Sequence, residues 1–234
     1  MAAEPAPPPR QRARAQAITD IKRIAREQLI REGAAGLSLR AVARELGIVS
    51  SAVYRYVPSR GELLTMLIED AYNALGEAAE TADTRHDRTD RHGRWMSVGR
   101  AVRDWAVHRP AEYALLYGSP MPGCRAQAER TGAPGSRVSL LLLDVLAGAP
   151  APAGGSPRPP LPAALRADLR ALRSEIGVEI DEELMARGVL AWTALFGLVS
   201  FEVYGQYVGS ISDYAAHFDF QLARLADSLG LVAD

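Results

Sequence analysis

Apolar residues recur every three or four positions through most of the chain, which is the spacing of one face of an α-helix. Runs that alternate between apolar and polar residues, as half-buried strands do, are absent. We therefore predict an all-α fold. The helices that this pattern predicts cover residues 16–32, 38–46, 50–57, 59–80, 95–108, 110–117, 138–146, 163–177, 181–207 and 212–228.

The second and third of these helices are short and are separated by a glycine. Ser38 can cap the first of the two, and Gly47 follows its last apolar residue, where a left-handed residue commonly ends a helix. Ser50 and Ser51 can cap the other helix, which stops before a proline. The pattern predicts a helix-turn-helix, whose second helix enters the DNA major groove by its N-terminal end. An ordinary corner between two helices is the alternative that the pattern alone leaves open.

The outward side chains of the second short helix favour DNA binding. They are Ser50, Ser51, Tyr54, Arg55 and Tyr56, with no carboxylate among them. A surface that meets phosphate needs hydroxyl donors and cations and no group that repels it.

This stretch resembles the DNA-binding domain of the tetracycline-repressor (TetR) family of bacterial transcription regulators, over residues 17–71. The matching segments are Ser38, RAVARELG at 40–47, AVYRYVPSR at 52–60 and the leucine pair at 63–64. Val49 departs from the family pattern, which has a capping Ser or Thr at that position. The C-terminal part resembles the WHG subgroup of the family through two segments. They are RPAEYALLYGSP at 109–120 and Trp192-x-x-Leu195-Phe196-Gly197, with Phe196 where the subgroup often has His.

The resemblance implies that the first three helices read one half-site of a palindromic operator in double-stranded DNA. Arg40 lies at the family position that can reach a base edge, and we assign Tyr54, Tyr56 and Arg60 to phosphate contacts. The complete set of predicted DNA-binding residues is Ser38, Arg40, Ser50, Ser51, Ala52, Tyr54, Arg55, Tyr56 and Arg60.

We predict three parts along the chain. Residues 1–16 form a disordered basic arm, 17–58 the helix-turn-helix DNA-binding domain, and 59–234 a larger helical ligand-binding and dimerisation domain. The first helix of the last part, 59–80, connects the two domains. Three segments are predicted to lack regular structure: a charged mobile connection at 81–93, a loop-rich stretch at 119–136 and a Pro, Ala and Gly linker at 148–162.

Charge is unevenly divided along the chain. Its net charge is −1, but residues 1–60 carry 11 Lys and Arg against 5 Asp and Glu, a net +6. The remaining residues therefore carry a net −7. The basic end is the one predicted to meet phosphate.

Several classes of site and location are not supported by the sequence. Cys124 is the only cysteine, so neither an intrachain disulfide nor a cysteine-based metal site can form. His86, His92 and the neighbouring aspartates do not match a recognised metal-site spacing. The longest uncharged run, 188–201, is shorter than the roughly 20 residues of a membrane span. We predict a cytoplasmic protein without metal, cofactor or membrane segment.

The C-terminal half suggests two partners. The helices at 181–207 and 212–228 carry more apolar surface than one small domain buries, which predicts a homodimer through them; the resemblance implies a four-helix interface. The resemblance also implies an enclosed small-molecule effector. Residues that can line a largely aromatic cavity for a mainly apolar molecule are Met66, Tyr72, Trp105, Tyr113, Tyr117, Trp192 and Phe196.

Two other functions were weighed against a ligand-responsive regulator. A helical enzyme would need a catalytic constellation, and His108 beside Arg109 has no fixed carboxylate, Ser or Cys partner in the pattern. We therefore predict that the protein is not an enzyme and has no catalytic residue. A ligand-independent DNA-binding protein is the remaining alternative, and a saturable small-molecule response in operator binding would exclude it.

Overall fold

The computed structural model describes residues 8–118, 128–149, 160–177 and 180–231. These residues form ten α-helices and no β-strand, which confirms the all-α prediction. The helices are α1 (Pro9–Gly36), α2 (Leu39–Glu45), α3 (Ser50–Tyr54), α4 (Arg60–Asp83), α5 (Arg91–His108), α6 (Pro110–Tyr117), α7 (Ala128–Leu146), α8 (Ala163–Ile176), α9 (Glu182–Val203) and α10 (Tyr214–Leu229).

Helix α1 begins earlier than predicted. Residues 9–16 are helical, so the prediction of a disordered arm is wrong for them, and residues 1–7 lie outside the described ranges. Pro9 occupies the first helical position, where the fixed φ of proline suits a helix start. No further proline or glycine interrupts the chain before Gly33.

The connection predicted to be mobile at 81–93 is shorter than expected and is fixed by side-chain hydrogen bonds. Helix α4 reaches Asp83, and α5 begins at Arg91. Asp90 caps α5 by accepting a hydrogen bond from the Gly93 N–H at 2.7 Å, and His86 contacts its other carboxylate oxygen at 2.8 Å. The Gly93 N–H and, to a smaller extent, His86 hold the pKa of Asp90 below its usual value.

Helix α7 includes part of the stretch predicted to be loop-rich. It runs through Gly132, Pro134 and Gly135, residues that disfavour helix by propensity alone. Two ion pairs join it to α4: Arg130 Nη2 lies 2.8 Å from Glu69, and Arg137 Nη2 lies 2.6 Å from Glu80. Residues 119–127, and residues 150–159 of the predicted linker, lie outside the described ranges.

The chain forms two compact units, Met1–Asn73 with Arg109–Gly135, and Ala74–His108 with Ser136–Asp234. The first unit buries an apolar core between α1, α2, α3 and the first half of α4. Its buried members are Ile21, Ile24, Ala25, Leu37, Leu39, Val42, Ala43, Val53, Val57, Leu63, Leu64 and Leu67.

The turn between α2 and α3 follows the prediction at one end and departs from it at the other. Ser38 Oγ accepts from the Ala41 N–H at the start of α2, and Gly47 has φ 69° at its end. Helix α3 is preceded by Val49, which provides no side-chain cap, and Ser50 is already helical. The prediction that Ser50 and Ser51 cap this helix is therefore wrong.

A buried glutamine fixes helix α2 at both ends. Gln28 is fully buried; its Oε1 accepts from the Ser38 N–H at 3.3 Å, and its Nε2 donates to Glu45 Oε1 at 3.0 Å. Since an unsatisfied buried amide is costly, these bonds favour one orientation of α2 on α1.

The second unit packs α5 against α9 and α10. Trp95 is fully buried, and its Nε1–H donates to the Leu222 carbonyl at 3.0 Å. Arg94, also buried, contacts both oxygens of Asp83 at 2.7 and 3.1 Å and Asp144 at 2.6 Å. This network ties α5 to the end of α4 and to α7.

Helix α8 is amphipathic and buries little of its apolar side. Leu169 is buried, whereas Leu165 and Leu172 are exposed. The helix packs against α9. Gly177, with φ 68°, ends it in the left-handed conformation.

Helix α9 has apolar side chains on both its buried and its exposed sides. Leu184, Ala191 and Leu195 are buried, whereas Leu190 and Phe201 are more than half exposed. By length and composition alone α9 is long and apolar enough to cross a membrane. Of its most apolar 18-residue stretch, 39% is buried inside the protein. A core helix of a soluble protein meets the same criterion, so this result is weak evidence for a membrane span.

Candidate functional site

The exposed face of the helix-turn-helix carries the polar side chains that the sequence predicted. Arg40, Ser51, Tyr54 and Arg55 are exposed. The remaining predicted members of this face, Ser50, Ala52 and Tyr56, are half-buried. Since α3 is only Ser50–Tyr54, Arg55 and Tyr56 follow its last turn.

The cations of this face are available to an anion. Within the described part of the chain, the side chains of Arg40, Arg44 and Arg55 make no ion pair or hydrogen bond. Glu45 is the only carboxylate between residues 38 and 58, and its Oε1 accepts from Arg31 at 2.8 Å and from Gln28. The face therefore has a net positive charge with no unpaired carboxylate on it.

The helical start of α1 adds further cations beside this face. Arg10, Arg12 and Arg14 are exposed and make no ion pair within the described residues. The Arg14 guanidinium lies over the Tyr56 ring, 5.7 Å from its centroid. The sequence shows these basic residues but not their placement, because the predicted disorder of residues 1–16 gave them no fixed position.

Two predicted DNA-binding residues serve the protein itself. Ser38 uses its hydroxyl to cap α2. Arg60 donates from Nη2 to the Ala34 carbonyl at 2.6 Å and from Nε to the Leu37 carbonyl at 3.0 Å. Both carbonyls lie at the C-terminal end of α1, and the Ala34 carbonyl also accepts from the Leu37 N–H at 3.4 Å. The geometry favours a positioning role for Arg60 over the predicted phosphate contact.

The residues predicted to line a ligand pocket are divided between the two units. Met66, Tyr72, Tyr113 and Tyr117 belong to the first unit, and the other three, Trp105, Trp192 and Phe196, belong to the second. In the first unit, the Tyr117 ring lies 5.1 Å from that of Tyr113 and 6.2 Å from that of Tyr72. Burial raises the pKa of Tyr117, and its two tyrosine neighbours raise it further, so its phenol remains neutral. Met66 packs against the core of the helix-turn-helix.

The second unit contains a cavity of about 360 Å³ between α7, α8 and α9. Its lining residues are Ser136, Ser139, Leu140, Leu143, Leu172, Ile176, Met185, Gly188, Val189 and Trp192. Of the predicted pocket residues only Trp192 lines it. Phe196, whose ring lies 6.0 Å from that of Trp192, is its neighbour on α9.

Comparison with protein families agrees with this geometry. Residues 22–67 match the model of bacterial regulatory proteins of the tetR family, and residues 95–225 match that of the tetracyclin repressor-like C-terminal domain. The second match alone spans more than half of the chain. The chain belongs to the TetR family.

Relatives along the whole length support this membership. The transcriptional regulator Rv1816 of Mycobacterium tuberculosis strain H37Rv is 42% identical over 227 residues, which cover 92% of this chain and 93% of the relative. The crystal structure of the regulatory protein SCO4313 superposes with a TM-score of 0.76 and 31% identity, covering 93% of this chain and 98% of the other.

A third relative matches a short part of this TetR-family chain. The transcriptional repressor DrrR1 of Streptomyces coeruleorubidus is 42% identical over 52 residues, 22% of this chain and 19% of that protein. Together these relatives are transcription regulators rather than enzymes, so this TetR-family chain is a DNA-binding transcriptional regulator.

The exposed hydroxyl of Tyr54 gives a prediction for this TetR-family surface. We expect Tyr54→Phe to weaken operator binding by about 1 kcal/mol, since one hydrogen-bond donor to phosphate is lost while the ring remains. Because Tyr54 is 43% exposed, the melting temperature should hardly change. Fluorescence anisotropy with operator DNA and thermal unfolding measure the two quantities. A fall in melting temperature with unchanged DNA affinity would reassign Tyr54 to the core.

Proposed function

We propose that this chain is a dimeric repressor that binds a palindromic operator in double-stranded DNA and leaves it when a small, mainly apolar molecule binds. The observation that carries the proposal is the pairing of two surfaces on one chain. One is the cationic, hydroxyl-bearing face of the helix-turn-helix, and the other is an exposed apolar face on α9 and α10.

For the DNA-reading face, we propose that Arg40 contacts a base and that Ser50, Ser51, Ala52 and Arg55 lie at the groove. Arg40 is exposed and unpaired within the described residues, and a guanidinium matches the O6 and N7 acceptors of guanine. Tyr54 and Tyr56 then contact phosphates. Arg10 and Arg14 extend the same cationic surface and add sequence-independent attraction.

For the dimer, we propose that α9 and α10 pack against the same helices of a second copy. An apolar depression of about 280 Å³ lies on these helices, lined by Ala194, Gly197, Leu198, Phe201, Tyr207, Gln221 and Leu225. The exposed Leu190 and Phe201 continue this surface along α9. One helix-turn-helix makes few base contacts, so two copies joined in this way would reach both half-sites.

The regulatory half of the proposal is that effector binding changes the affinity for DNA. A difference of about 1–3 kcal/mol in effector affinity between the DNA-competent and incompetent arrangements changes operator affinity roughly 5- to 150-fold. Such a regulator would act in the cytoplasm, where the operator is.

The test of the DNA-reading assignment is Arg40→Ala, with Arg44→Ala as the matched control. Both arginines are exposed on α2 and unpaired within the described residues. We expect Arg40→Ala to cost about 1–3 kcal/mol at the cognate operator and to remove the preference at one base pair in each half-site. Arg44→Ala should affect all sequences alike. Binding to a panel of single-base operator variants measures this, and equal weakening of every site by Arg40→Ala would contradict a base contact.

A further inference from the structure

The cavity between α7, α8 and α9 is bordered by three helices and is open to solvent along its rim. Leu140 and Leu143 of α7 form one wall, Leu172 and Ile176 of α8 a second, and residues 185–192 of α9 the third. A Cβ on Gly188 would lie 2.4 Å from Leu143 Cδ2. Glycine at this position therefore lets α7 and α9 approach closely and shapes the floor of the cavity.

The lining determines which chemistry fits. It contains no Asp, Glu, Lys, Arg or His among its described members, so a charged ligand would lose its hydration without gaining a partner. Polar groups are few. Ser136 and Ser139 lie on one wall, where the Ser139 hydroxyl donates to the Ser136 carbonyl, and Trp192 lies on the α9 wall.

The cavity and the proposed dimer surface lie on different sides of α9. Successive residues of an α-helix are rotated by about 100°, so Met185, Gly188, Val189 and Trp192 share one side of the helix. Leu198 and Phe201, which line the depression assigned to the dimer, fall on the roughly opposite side. A second copy seated on the dimer surface would therefore leave the cavity open.

The size of the cavity limits its occupant further. At about 360 Å³ it lies near the lower end of the roughly 300–1,000 Å³ range of ligand pockets. A helix of a partner protein, roughly 10 Å across with its side chains, would not fit into it.

We propose that this cavity is the effector site and that it takes an uncharged, mainly apolar molecule carrying at most a few hydrogen-bonding groups. This assignment rests on the proposed function for its regulatory role, but the binding site itself does not. It replaces six of the seven pocket residues predicted from the sequence and retains Trp192.

Two dyes with the same ring system test the site. N-phenylnaphthylamine is uncharged and brightens in an apolar environment, and anilinonaphthalene sulfonate carries an added anionic group. With the full chain we expect one N-phenylnaphthylamine site per chain and binding of the sulfonate weaker by about tenfold or more. Equal affinity for the two dyes would contradict the preference for an uncharged ligand that we assign to the cavity.

Substitutions at two walls locate the bound dye. Val189 is 40% and Leu172 39% exposed, so Val189→Trp and Leu172→Trp can fill the cavity from its rim without burying an overlarge side chain in the core. Each should lower the affinity for N-phenylnaphthylamine by about tenfold or more. The matched control Val189→Ala should bind the dye with an affinity within about threefold of that of the unchanged chain. If both tryptophan variants are folded by thermal unfolding and bind the dye like the unchanged chain, the site is elsewhere.

Operator binding in the same samples separates this inference from the proposed function. Release of operator DNA by N-phenylnaphthylamine that is lost in both tryptophan variants supports the site and its effector role together. If the dye binds in the cavity but operator affinity does not change, the binding site is supported and its effector role is contradicted. Release that persists in both variants keeps effector control and overturns this cavity as its site.

Discussion

Replacing Phe201 with glutamate is expected to separate the proposed dimer into single chains and to weaken operator binding by about a hundredfold or more. Phe201 is 53% exposed and lines the apolar depression on α9 and α10. In a dimer a carboxylate there would be removed from water without a cation beside it, which is unfavourable. Each separated chain would then hold only one half-site.

Sedimentation equilibrium and gel-shift titration measure mass and operator affinity for this variant. The control is Leu165→Glu, which adds the same charge at a 41% exposed leucine of α8 and should change neither quantity. If the Phe201 variant still sediments as a dimer and binds the operator normally, this surface of α9 is not the dimer interface.

Replacing Arg94 with leucine is expected to cost about 3 kcal/mol of unfolding free energy. The Arg94 side chain is 3% exposed and its partner Asp83 10%, so the substitution leaves the buried carboxylate with the exposed Arg88, whose Nη1 lies 3.7 Å from Asp83 Oδ2. It also removes the contact with Asp144 on α7. A loss of this size lowers the melting temperature of a chain of this length by about 10 °C.

The matched control is Arg100→Leu, on the same helix. Arg100 also makes a two-bond contact, with Asp219, but the two side chains are 51% and 45% exposed. Exposed ion pairs contribute about 0–1 kcal/mol, so this change should be small. Thermal and denaturant unfolding compare the variants, and similar small losses for both would show that burial of the Arg94 network is not important for stability.

Local features of the fold could be predicted from the sequence because their causes are local. The spacing of Leu39 and Val42 marks the buried side of α2, Ser38 caps it, and Gly47 supplies the left-handed residue at its end. The apolar surplus of α9 was also visible, since leucines and aromatics occupy every side of that helix.

Features that depend on distant contacts could not be predicted. Helix α7 passes through Pro134, and its Arg130 and Arg137 bind carboxylates on α4 that lie some sixty residues away in sequence. Arg60 looked like a phosphate ligand by position, but it donates to the Ala34 and Leu37 carbonyls at the end of α1. No local pattern reveals either contact.

The ligand pocket was the least predictable part for the same reason. The residues predicted to line it are mostly aromatic, and three of these, Tyr72, Tyr113 and Tyr117, do meet in the first unit. The cavity of the second unit is instead lined mostly by leucines, serines and a glycine. These residues are common in any helical core, so only their packing identifies a site.

Selection of DNA sequences by the purified full-length chain, from a random double-stranded library, tests the central claim most directly. If the chain is a dimer that reads one half-site with each helix-turn-helix, the enriched sequences will contain a palindrome. Its half-sites should be centred about one helical turn apart, roughly 10 base pairs, or a multiple of that. Enrichment of a single asymmetric half-site, or of no sequence above the random library, would contradict the account.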